Sequence, residues 1–76
     1  MTLVLKSEKP PLREDKIGAI GVGRSRVLLE MVIPAFQDGA SPETIVDNYS
    51  TLTLSDVYGA IAYYLKNKDL VEEYLQ

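Results

Sequence analysis

From residue 28 onward the apolar residues recur three and four positions apart, the period of helices that bury one side. Leu29, Val32, Ile33 and Phe36 predict a helix over 28–38, with Gly39 as its C-terminal cap. Pro34 lies inside that pattern and is expected to bend the helix. Ser41 is a good N-cap, Pro42 suits the first helical position, and Ile45, Val46 and Tyr49 share a face. They predict a helix over 41–49. Thr53 caps a third helix over 53–67, with Leu54, Val57, Ile61, Tyr64 and Leu65 as its core stripe. Asp69, with Glu72 three residues on, predicts a capping box and a last helix over 69–75. A helix, a tight turn and a longer helix over 41–67 is the helix-turn-helix pattern, and equally that of two packed helices in any small α domain.

Before residue 28 the pattern changes. Residues 12–27 predict a β-hairpin that turns through Glu14 to Gly18, with Gly18 at positive φ. On a return arm over Ala19–Val27, Ile20, Val22, Arg24 and Arg26 share one face. Residues 2–5, Thr-Leu-Val-Leu, predict a short strand, and KSEKPP ends it in a stiff connector. Residues 1–11 are thus a strand and proline connector, and 12–76 a single domain. The fold class expected is mostly α: a small helix-turn-helix domain with an N-terminal β-hairpin. Its core is expected from Leu29, Val32, Phe36, Ile45, Val46, Tyr49, Leu54, Val57, Ile61 and Leu65. GAIGVGRS does not fit a phosphate loop, because it lacks the Gly-Lys-Ser/Thr ending and the GxGxxG spacing.

Charge adds an asymmetry. The net charge is −3, but residues 1–26 carry +3 and residues 27–76 carry −6. Phosphate contact needs clustered Lys and Arg, so any DNA binding is expected at Arg13, Lys16, Arg24 and Arg26, with Lys66 minor. The chain has no Cys and no His. Disulfides, thiolate or imidazole metal sites and His-activated nucleophiles are therefore excluded, and neither an enzyme nor a cofactor is expected. No apolar run reaches the roughly 20 residues of a membrane helix. The start is too short and too quickly charged for a secretory signal, so a cytoplasmic protein is expected.

The outer stripe of the third helix holds Ser55, Gly59, Ala62 and Lys66, flanked by Asp56 and Tyr63. Base reading relies on Arg, Lys, Asn or Gln, and this stripe offers only Lys66. Small residues suit close packing instead. With 76 residues and no disulfide, extra burial is expected from a homodimer. Its interface is expected among Met31, Gly59, Ala62, Tyr63 and Tyr74, with the N-terminal strand, the hairpin arm or the last helix contributing. The chain is too small to enclose a ligand pocket without a partner.

PPLRED (10–15), VGRSRV running on to YYL (22–65) and EEYL (72–75) resemble the bacterial domain-of-unknown-function family 433. The centre of the match is Ser-Arg-Val, a helix ending in Gly39, Ala-Ser-Pro-Glu, an Ile-Val pair, Tyr49, and Leu-Thr-Leu-Ser-Asp-Val. The resemblance implies a homeodomain-type helix-turn-helix and an antitoxin-like regulator. Such a regulator holds a PIN-like toxin nuclease and can bind its own promoter DNA as a homodimer. Asp56, Gly59 and Ala62 depart from a base-reading pattern. The alternative function is a protein-interaction module with no nucleic-acid role.

Overall fold

The computed structural model describes residues 2–76. Met1, the first residue of the leading segment, lies outside the described residues. Two strands, β1 (Leu12–Glu14) and β2 (Ile20–Val22), precede four helices: α1 (Leu29–Gln37), α2 (Pro42–Asn48), α3 (Leu54–Lys66) and α4 (Lys68–Leu75). The strands pair antiparallel, with Arg13 opposite Gly21. Asp15 makes their turn. Its Oδ1 accepts from the N–H groups of Ile17 at 2.9 Å and Ala19 at 3.0 Å, while Gly18 takes a φ of 87°. An aspartate that holds the backbone two residues on is a common turn device.

The hairpin is shorter than the sequence predicts. The return arm stops at Val22 instead of reaching Val27. Gly23, at φ 61°, reverses the chain, and the Val22 N–H donates to the Val27 carbonyl at 2.9 Å. Ser25 staples this second turn. Its buried hydroxyl donates to the Val22 carbonyl at 2.8 Å and accepts from the Val27 N–H at 3.1 Å. Arg24 and Arg26 therefore sit on an exposed turn, not on a strand face with Ile20 and Val22. Residues 2–10 have no regular structure, so the strand expected at residues 2–5 is absent from the single chain.

The helix ends follow from their caps. Ser41 Oγ accepts from the Thr44 N–H and Thr53 Oγ1 from the Asp56 N–H, both at 3.1 Å. Each such cap contributes about 1 kcal/mol. Gly39, at φ 102°, closes α1. The Gly39 N–H reaches the Phe36 carbonyl and the Ala40 N–H the Ala35 carbonyl, both at 3.0 Å, the paired bonds of a Schellman end. The capping box expected at Asp69 does not form. Asn67 ends α3 and starts α4 with almost no linker, and Glu72 turns inward to Tyr64.

The buried face of α3 is Val57, Ala60, Ile61 and Tyr64. Leu29, Val32, Ile33, Ile45, Val22 and Val71 close around it from the other elements. Phe36, Val46 and Tyr49 pack against this core half-buried. Two expected core residues lie outside it: Leu54 is 44% exposed and Leu65 51%. Alanine at position 60 centres the buried stripe on 57, 60, 61 and 64. At about 100° per residue this rotates Leu54 and Leu65 to its edge.

Tyr64 ties three helices together. Its hydroxyl accepts from Gln37 Nε2 of α1 at 3.1 Å and donates to Glu72 Oε2 of α4 at 3.0 Å. Its ring meets Phe36 edge-on, with centroids 6.3 Å apart. Ile61→Ala, at the centre of the same face, should cost roughly 2–5 kcal/mol. That is a large part of the stability of so small a domain, and urea unfolding measures it.

Candidate functional site

α3 presents three longitudinal faces, and each does something different. The buried face is described above. The opposite face, with Ser55, Gly59, Ala62 and Lys66, lines a groove of about 330 Å³. The other wall of this groove is Glu8, Lys9, Pro10 and Pro11. The leading segment, here called the arm, thus crosses α3 on the side that a helix-turn-helix protein turns toward DNA. Gly59 permits the crossing: a Cβ there would lie 2.7 Å from Cδ and Cγ of Pro11. The Pro11 carbonyl in turn accepts from the Gly23 N–H at 2.7 Å, so the arm is anchored at both its ring and its backbone.

Between these two faces runs a stripe that the sequence pattern did not reveal as a surface. Leu54, Tyr58 and Leu65 follow one another at helical spacing and are 44%, 49% and 51% exposed. Tyr58 is held in place from α2, its hydroxyl donating to Glu43 Oε2 at 2.7 Å. That bond, helped by a backbone hydrogen bond within Glu43, holds the carboxyl below its ordinary value of 4.5. It raises the Tyr58 phenol above 10.0.

The basic residues do not form one patch. Arg13 is committed to its own chain: Nε donates to the Gly23 carbonyl at 2.6 Å, and the terminal Nη2 to the Ser25 carbonyl. It clamps the second turn to β1. Arg26 lies with Arg13 on the rim of a small groove beside Gly21 and Leu28. Arg24 is exposed on the same turn, and Lys16 is exposed at the hairpin tip. Lys66 belongs to the arm groove on α3. A Cβ on Gly23 would collide with the carboxylate of Asp56, so the arginine-bearing turn sits against the acidic start of α3.

The expected interface residues also separate. Gly59, Ala62 and Tyr63 meet in the arm groove. Met31 stands exposed on α1, 44% accessible. Tyr74 uses its hydroxyl within the fold, accepting from the Ile20 N–H at 3.0 Å. Among the described residues no cluster of His, Cys, Asp or Glu is placed to hold a metal ion. No described helix is long and apolar enough to cross a membrane.

Two measurements probe these faces. Gly59→Ala should lift Pro11 from α3 and speed hydrogen exchange at the Gly23 amide, with unchanged protection contradicting the seating of the arm. Glu43 has its pKa depressed in the fold, so its contribution to stability holds above pH 4.5 and is lost as pH falls through the folded value. Tyr58 has its pKa raised, so its contribution holds below pH 10.0 and is lost as pH rises through the folded value. In Tyr58→Phe the Glu43 titration, followed by carbon-detected NMR, should move up toward the ordinary carboxyl range.

Neither a curated protein nor a solved structure matches the chain. A family model does match, over residues 18–64, from the hairpin glycine to the tyrosine at the centre of the fold. The matched span holds the Ser25 staple, the Gly39 helix end, both side-chain helix caps and the buried face of α3. The chain belongs to the family described as "Protein of unknown function (DUF433)".

Proposed function

We propose that this chain is an antitoxin-like binding protein whose partner is another protein, held by the exposed apolar stripe of α3, and that it acts as a homodimer. The observation that carries this reading is the division of labour on α3. The face suited to entering a DNA groove is crossed by Pro11 at Gly59. The adjacent face displays Leu54, Tyr58 and Leu65 to solvent. Apolar residues and a tyrosine on one exposed face favour a protein partner over phosphate. The family resemblance supplies the partner's class, a PIN-like nuclease.

A second reading, contact with promoter DNA, is favoured by Arg24 and Arg26, both exposed on the turn after β2. Their contacts would be with phosphates and would weaken steeply as salt rises.

The two readings predict different variants. Leu54→Asp with Leu65→Asp should abolish binding to a PIN-like nuclease encoded beside this chain, measured by calorimetry, and leave the melting temperature close to that of the parent. Arg24→Ala with Arg26→Ala should leave that binding intact and abolish any gel shift of promoter DNA at low salt. Nuclease binding untouched by the two aspartates would overturn the role given to the stripe. A gel shift that survives the loss of both arginines would overturn the second reading.

A further inference from the structure

The two edges of the small sheet are treated differently. The outer side of β2 is closed. The Ile20 N–H donates to the Tyr74 hydroxyl at 3.0 Å, the Val22 N–H donates to the Val27 carbonyl at 2.9 Å, and Gly21 bridges Leu28. Among the described residues the outer side of β1 has no partner strand. Bonds toward β2 are made at Pro11, which accepts from Gly23 at 2.7 Å, and at Asp15, which donates to Ala19 at 2.9 Å. Residues facing the partner strand alternate with residues facing away. Leu12 and Glu14 therefore turn their peptide groups outward. The Leu12 N–H is occupied by the Pro10 carbonyl at 2.8 Å, which leaves Glu14 as the pairing position on a free edge.

The same chain carries a strand-forming segment with no sheet. Leu3, Val4 and Leu5 are 82%, 76% and 84% exposed, an apolar run in which Val4, and Thr2 before it, are of the β-branched type enriched in strands. Their own β1 is not along their path. From Pro11 the arm runs back over α3, with Pro10, Lys9 and Glu8 on the groove wall. Lys9 and Pro10, each followed by a proline, are held extended, and the chain bends at Pro11, where the Leu12 N–H meets the Pro10 carbonyl, so that the arm leaves β1 toward α3. A second copy of the chain offers the same open edge with no such restriction. Charge agrees: Lys6 follows the segment, and Glu14 marks the edge.

We propose that two copies of this chain exchange their arms, each laying Leu3–Leu5 as an added strand on the β1 edge of the other. The exchange is reciprocal, so it closes as a two-fold dimer, and it uses strand addition to an exposed edge. It gives the homodimer of the functional reading a defined contact, and rests on that clause alone. The nuclease clause is independent of it, because the test needs only this chain.

The chain has no cysteine, so introduced cysteines report cleanly. Val4→Cys and Glu14→Cys chains are mixed and mildly oxidised, with Leu3→Cys and Leu5→Cys in place of Val4→Cys to cover the register. Paired strand residues lie about 4.5–5.5 Å apart at Cα, within disulfide reach. The expected result is a covalent dimer joining position 14 of one chain to one of positions 3–5 of the other. A chain carrying both cysteines should give the same dimer. An intrachain bond in that double variant would overturn the exchange. So would the absence of a mixed dimer at all three positions, whether the unmodified protein sediments as one chain or two. Leu3→Asp with Leu5→Asp provides a second measurement: loss of the two-chain species with an unchanged far-ultraviolet spectrum is expected, and retention of that species would contradict the proposal.

Discussion

The close approach of Pro11 to Gly59 is the constraint on which the arrangement depends. An arm that crosses a helix this tightly needs a residue with no side chain beneath it. A glycine inside a helix costs about 1 kcal/mol relative to alanine. In return Pro11 reaches α3 and offers its carbonyl to Gly23, which positions the second turn. Arg13 then clamps that turn from β1 through two carbonyls, and Asp56 packs against Gly23 from the start of α3. Arm, hairpin and third helix are thus joined by side chains seated directly on backbone, at glycines that tolerate little added volume.

The consequence for function is that the outer face of α3 is interrupted: Pro11 crosses it at Gly59, while Ser55, Ala62 and Lys66 stay exposed along it. One side is core, one is crossed by the arm, and the third carries Leu54, Tyr58 and Leu65. The positive charge is divided in the same way. Arg13 has an internal task, whereas Arg24, Arg26 and Lys16 remain in solvent on two turns. The proposed preference for a protein partner rests on this distribution more than on the net charge of −3.

Much of the fold was readable from the sequence because the relevant signals are local. Ser41, Thr53 and Gly39 mark helix ends through hydrogen bonds that span a few residues, and the helical spacing of Val57, Ile61 and Tyr64 locates the core. The errors lie where tertiary contacts decide. Ala60 shifts the centre of the α3 stripe, so Leu54 and Leu65, apolar and correctly spaced, end outside it. Gly23 and Ser25 end the hairpin early through a turn that alternation alone does not reveal. Asp69 resembles a cap, but Asn67 leaves no room for one. The functional surfaces were only partly readable. Gly59 marks a close contact made by the chain's own Pro11, whereas Ala62, on the same stripe, stays exposed. The commitment of Arg13 to two carbonyls has no sequence signature.

The most direct test of this account is a carbon-edited NOE spectrum of the uniformly labelled protein. Strong cross-peaks between the ring δ and γ protons of Pro11 and the α protons of Gly59 are predicted, with weaker ones to Ala62. Their absence would contradict the account. It would show that the arm leaves α3 bare and that the outer face of this helix is available after all to a nucleic-acid groove.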